Sequence, residues 1–67
     1  MEIHEVLAKN IRLRRSKLCL SQEALADAAK LDRTYISGIE RGLRNPTISV
    51  LAQIADALRV EVFELLQ

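Results

Sequence analysis

Cysteine is all but missing from this chain. Cys19 stands alone, which excludes an internal disulfide and any multi-cysteine zinc site. A single histidine, His4, and no Cys/His cluster leave no ligand pattern for a metal centre. The only glycines are Gly38 and Gly42, so there is no glycine-rich loop to cradle a phosphate, and no nucleophile–base pairing stands in for one. An enzyme is therefore not expected, and no cofactor is implied. No apolar run exceeds three residues, so nothing in the sequence is fit to span a membrane. The N-terminus carries Glu2 and Glu5 and lacks an apolar stretch, which excludes a signal peptide and makes the cytoplasm the expected compartment.

What is present is a short chain with one core. At 67 residues and 49% hydrophobic, it is expected to form a single domain over 1–67, with no room for a deep catalytic pocket. A domain of this size buries only about 60% of its unfolded surface, so self-association is a natural supplement. The net charge is +1, but it is unevenly spread. Residues 1–17 hold five basic and two acidic groups, whereas 45–67 hold one basic and three acidic. A polyanion within a Debye length of about 8–10 Å feels the local face rather than the total.

Helical periodicity runs through the whole chain. Ile3, Leu7, Ile11 and Leu18 recur at helical spacing over residues 2–18, with Lys9, Arg12 and Lys17 off the stripe. Arg15 falls on or beside that apolar stripe, an unusual place for a charge, which suggests a buried partner. Ser21 is a suitable N-cap for a second helix that buries Leu25, Ala26 and Ala29, and the small alanines allow another helix to approach closely. Lys30 and Leu31 make the break, and Asp32 caps a third helix reaching about Glu40, with Gly42 as its stop. Asn45-Pro46 marks the end of a loop, and Thr47 caps a fourth helix facing inward through Leu51, Ile54, Ala55 and Leu58. A final short helix, about Glu61 to Leu66, makes five. No strand pattern or repeat is present.

Residues 22–42, QEALADAAKLDRTYISGIERG, thus hold two short helices separated by a tight break. The second buries Ile36 and Ile39 and turns Arg33, Thr34, Ser37 and Arg41 outward. A short helix crossing another, with donor-rich side chains at its free N-terminal end, fits a DNA major groove.

The matching pieces extend beyond this pair. They are Ile11-Arg12 and Arg15, Leu20-Ser21-Gln22-Glu23 with Leu25-Ala26, Tyr35-Ile36-Ser37 through Ile39-Glu40-Arg41-Gly42, Asn45-Pro46-Thr47, and the Leu51/Ile54/Ala55/Leu58 helix. On these the chain resembles the phage-repressor/Cro-type helix-turn-helix family over essentially its whole length. The stretch from Leu31 to Arg41 is especially similar to the controller proteins of restriction–modification systems. The resemblance implies a compact all-α, five-helix, lambda-repressor-like DNA-binding domain, with helices 2 and 3 as the helix-turn-helix.

The same resemblance implies roles. Arg33 and Thr34, with Ser37 nearby, are expected at base edges in the major groove. Tyr35 is grouped with them, although its ring either packs on helix 2 or brings its hydroxyl to DNA. Gln22, Arg41, Arg44, Asn45 and Thr47 are expected on phosphates. Arg15 and Glu40 look like the family's buried ion pair, which would explain a charge on the apolar stripe. Val62, Phe63 and Leu66 are too many apolar groups for one short helix to hide, and are expected at a homodimer interface. Glu23 and Asp27 lie where activating members touch RNA polymerase, although plain solvation is the favoured reading of both.

Three positions depart from the family pattern. Lys30 and Arg59 stand where glycine often supplies a left-handed backbone, which costs a side-chain-bearing residue roughly 1 kcal/mol. Gly38 occupies a groove-facing position where other members carry a contacting side chain, so DNA shape is expected to carry more of the specificity. His4 is expected to be solvated and Cys19 half-buried in a loop. The leading expectation is a sequence-specific transcriptional regulator binding a two-fold operator as a homodimer. A protein-interaction module, such as an antitoxin or adaptor, is the alternative compatible with the acidic tail.

Overall fold

Three hydroxyl or carboxylate caps divide the chain into its helices. The computed structural model describes residues 2–67, with α1 at Ile3–Lys17, α2 at Gln22–Ala29, α3 at Arg33–Glu40 and α4 at Ile48–Leu58. Ser21 Oγ accepts from the Ala24 amide at 3.0 Å, Asp32 Oδ1 from Thr34 at 3.3 Å, and Thr47 Oγ1 from Val50 at 3.2 Å. Each satisfies one of the orphan amides of a first helical turn. No strand occurs among the described residues.

The fifth helix is not an α-helix. Val62–Leu65 forms one 3-10 turn, with the Glu64 amide bonding Glu61 O at 3.0 Å. The count among the described residues is therefore four α-helices and a turn. Four residues cannot offset the cost of nucleating an α-helix, and the tighter winding lets Leu65 drop fully into the core.

Ile11, Leu25, Ile36, Ile39, Ile54 and Leu65 are completely enclosed. Removing each from water contributes about 1.5–3 kcal/mol before entropy is counted. α3 lies against α1 and α2, α4 against α2, and the 3-10 turn against α1 and α4. Ala26 and Ala29 are buried on α2, where their short side chains permit the close crossing with α3. The apolar stripe of α1 is covered only in its middle. Leu7 and Ile11 are buried, but Ile3 and Leu18 at its ends are 54% and 41% exposed. The crossing elements do not reach the ends of a 15-residue helix.

All four α-helices end the same way, and the sequence shows this only in part. Cys19 (φ 58°), Lys30 (φ 61°), Gly42 (φ 72°) and Arg59 (φ 61°) are left-handed. In each case the next residue returns its amide five positions back: Leu20 to Arg15 O, Leu31 to Ala26 O, Leu43 to Gly38 O and Val60 to Ala55 O, at 2.8–3.1 Å. These are Schellman closures, and only one of the four uses glycine. The strain at Cys19 has no counterpart in the sequence reading, and Cys19 is exposed rather than half-buried. Lys30→Gly and Arg59→Gly should each stabilise the fold by about 1 kcal/mol, raising Tm by roughly 4–8 °C. Thermal unfolding followed by circular dichroism checks this, and an unchanged or lower Tm contradicts it.

Candidate nucleic-acid interface

α3 is amphipathic over just two turns. Ile36, Ile39 and Glu40 point inward and are buried, while Arg33 and Thr34 are exposed at its N-terminal end and Ser37 is half-buried beside them. The helix begins at Asp32, whose carboxylate cap also favours the positive end of the helix dipole. The outward donors therefore stand on a rigid, capped ridge.

Glu40 is the fastening on the other side of that ridge. It is only 2% exposed, and its carboxylate is held by a two-pronged pair from Arg15. Arg15 Nε donates to Oε2 at 2.7 Å and Nη2 to Oε1 at 3.0 Å, while Arg15 Nη1 closes on Leu20 O at 2.9 Å. Gln22 Nε2 adds a third bond to Glu40 Oε1, at 3.1 Å. No buried side-chain nitrogen or oxygen lacks a partner among the described residues. The hydrogen bonding of Arg15 to the Glu40 carboxylate holds the guanidinium pKa above its usual range, outweighing the lowering effect of burial. A base raised in the folded state contributes its full stabilisation at every pH below that range, so the Arg15 guanidinium stays charged at ordinary pH.

The cluster joins three helices, and it positions Gln22. One hydrogen of the Gln22 amide is committed to Glu40, which leaves the second free beside the unpaired amides of the first turn of α2. That corner of α2 has the donors and dipole an anion requires.

Gly38 corrects the sequence reading. It is buried, and a Cβ there would meet Arg44 Cδ, Cγ and Nε at 3.1, 3.2 and 3.2 Å. The Arg44 side chain lies across the glycine and carries its guanidinium over the Tyr35 ring, 5.5 Å from the centroid. The position is therefore a seat for Arg44 rather than an open gap in the face. Tyr35 is half-buried with its ring against the core. The ring is engaged by packing and by Arg44, leaving the hydroxyl as its only polar handle.

The remaining residues singled out from the sequence fall in three places. Arg41, Asn45 and Thr47 are exposed along the connection from α3 to α4, and Thr47 keeps its O–H free while its oxygen caps α4. At the other end, Val62 is half-buried against the core, whereas Phe63 and Leu66 are 60% and 40% exposed. Glu23 and Asp27 are exposed on α2.

Several contacts escaped sequence reasoning. Arg12 Nη1 donates to the Glu40 carbonyl. Asn10 Nδ2 reaches Leu65 O at 2.9 Å, and Arg14 pairs with Glu64 at 3.4 Å, together tying the 3-10 turn to α1. Asn10 and Arg14 lie four residues apart, so a polar edge beside the apolar stripe was the available signal.

The helix-turn-helix family profile matches residues 11–65, from the middle of α1 through α2, α3 and α4 to the 3-10 turn. The chain belongs to the helix-turn-helix family. Within the family it is similar to control protein C.SmaI of Serratia marcescens, with 48% identity over 98% of this chain and 79% of that protein. A hypothetical transcription factor of Neisseria meningitidis is 43% identical over 97% of this chain, which spans only 61% of that protein's length. The crystal structure of a hypothetical transcription factor from Neisseria superimposes with a TM-score of 0.95 at 42% identity, covering 98% of this chain and 76% of the crystallised one. The restriction–modification controller protein C.AhdI of Aeromonas hydrophila superimposes at 0.90 with 39% identity, covering 92% and 94% of the two chains. The all-α helix-turn-helix arrangement is thus shared with control and controller proteins. In this family member, α2 and α3 are the helix-turn-helix, and the Arg15–Glu40–Gln22 cluster fixes the angle between them.

Proposed function

We propose that this chain is a sequence-specific DNA-binding transcriptional regulator that reads a two-fold operator as a homodimer, in the manner of a restriction–modification controller protein. The observation that carries the reading is the N-terminal ridge of α3. Arg33 and Thr34 are exposed there and Ser37 lies beside them, on a helix held from behind by a buried ion pair. Similarity to control and controller proteins supports the regulatory role. Arg33, Thr34 and Ser37 would meet base edges, with the Tyr35 hydroxyl reaching the same strand. Gln22, Arg41, Arg44, Asn45 and Thr47 would grip phosphates on either side and fix the register. Glu23 and Asp27 face outward on α2, available to RNA polymerase once the protein is bound.

Exposed Phe63 and Leu66 supply the apolar surface for pairing, with Val62 at its edge. Two such subunits would place their α3 helices about 34 Å apart, one turn of the duplex. Selection of bound sites from random duplexes should recover an inverted repeat with that half-site separation. Recovery of unpaired half-sites only, or of no preferred sequence, contradicts the reading. Phe63→Ala should weaken self-association about tenfold in equilibrium sedimentation, since a large apolar side chain is lost from a small contact. An unchanged association constant would remove Phe63 from the interface. Adjacent genes for a methyltransferase and an endonuclease would support the controller role.

A further inference from the structure

A cleft of about 260 Å³ opens beside the C-terminal end of α3, lined by Glu5, Ala8, Lys9, Arg12, Arg41 and Gly42. Three of its six lining residues are cationic and one is acidic. Glu5, Lys9 and Arg12 recur at steps of four and three along α1, so they share one helical stripe beside buried Ala8. Lys9 and Glu5 have no ion-pair partner among the described residues. Arg12 spends one of its five N–H donors on the Glu40 carbonyl, which anchors the guanidinium at the negative end of α3 and leaves the other donors available.

Arg41 connects this cleft to the recognition ridge. It lies seven residues beyond Thr34, two helical turns, and therefore on the same face about 10 Å further along the axis. A major groove is about 12 Å wide. A duplex that meets Thr34 at base edges thus brings its phosphate wall to Arg41, and the cleft continues from there onto α1.

We propose that Lys9, Arg12 and Arg41 form a cradle for a DNA backbone phosphate at the C-terminal end of α3, extending the contact with the duplex onto α1. The proposal rests on the DNA-binding reading and adds to it two α1 residues. Glu5 stands at the rim of the cradle and opposes the phosphate by like charge.

The test is affinity against salt for the full chain, on a duplex selected as above and on an unrelated one. Lys9→Gln should bind both duplexes several-fold more weakly at 0.1 M salt. Its plot of log affinity against log salt should be shallower by about 1.8, the loss of one neutralised phosphate in each subunit of the dimer. Arg12→Gln should do the same, and Glu5→Gln should bind both duplexes more tightly. Lys9 and Glu5 are exposed and unpaired, so their variants keep the test open if Arg12→Gln fails to fold. Wild-type binding with an ordinary salt slope that Lys9→Gln and Glu5→Gln leave unchanged overturns the cradle and spares the regulator reading. A calorimetric signal for inorganic phosphate that Lys9→Gln abolishes, with duplex affinity unchanged, assigns the cleft to a free anion and overturns the proposal. Wild-type protein that binds no duplex at low salt overturns both readings.

Discussion

Arg33→Ala should retain the fold and lose most of its preference for operator over unrelated DNA. Arg33 is exposed at the first turn of α3, and no hydrogen bond or ion pair holds its side chain among the described residues, so its removal leaves no buried group unsatisfied. An arginine held bidentately on a guanine is worth ~1–3 kcal/mol of discrimination. A homodimer makes that contact twice, so well-separated half-sites should lose about 2–6 kcal/mol together. The expected result is a fall of between about thirtyfold and about 20,000-fold in the ratio of specific to non-specific affinity, on the scale of 1.4 kcal/mol per decade. Binding to unrelated duplexes should weaken far less. Competition titrations on both duplexes decide the matter. A variant with an undiminished ratio removes Arg33 from the base-reading set.

Arg15→Ala acts on the fold rather than on the interface, and its effect should be comparable in size. It leaves the Glu40 carboxylate, 2% exposed, with Gln22 as its only remaining side-chain donor. Breaking a buried pair from one side costs about 3–5 kcal/mol. Arg15 itself is 21% exposed, so water will replace part of the loss, and the lower end of that range is expected. At roughly 0.05–0.15 kcal/mol per residue, a chain of 67 residues has about 3–10 kcal/mol in hand. The variant should therefore lose between about a third and all of its stability at 25 °C in urea titrations. A loss below about 1 kcal/mol would show that the pair is dispensable. Arg15→Met with Glu40→Leu should recover much of the stability, because an apolar replacement removes both desolvation penalties at once. It should still bind DNA weakly, since Gln22 would lose the carboxylate that holds it.

The contrast between these two residues shows what a linear reading reaches. Arg15 attracts notice because it interrupts an apolar stripe, and a charge there needs a partner. Its partner is 25 positions away, and only the crossing of α1 and α3 brings Glu40 to it. The caps at Ser21, Asp32 and Thr47 were legible because a capping side chain bonds an amide two or three residues on. The left-handed ends at Lys30 and Arg59 were approachable through the family pattern, whereas Cys19 gave no such hint. Gly38 was misread as a gap in the groove-facing surface. The side chain that fills it, Arg44, arrives from six residues later, through a loop whose path no periodicity describes.

Sequence alone settled where the four α-helices among the described residues lie, the inward stripes of α2, α3 and α4 and the middle of that of α1, and that α2 and α3 form a helix-turn-helix. These follow from interactions spanning one or two turns, where spacing and position coincide. The tertiary structure decided which polar groups meet: Gln22 and Arg15 on Glu40, Arg44 across Gly38 and Tyr35, and Lys9, Arg12 and Arg41 around one cleft. It also turned the last segment into a 3-10 turn so that Leu65 could enter the core. Those outcomes depend on how helices cross, and crossing is fixed by the packing of whole side chains, which no local pattern encodes.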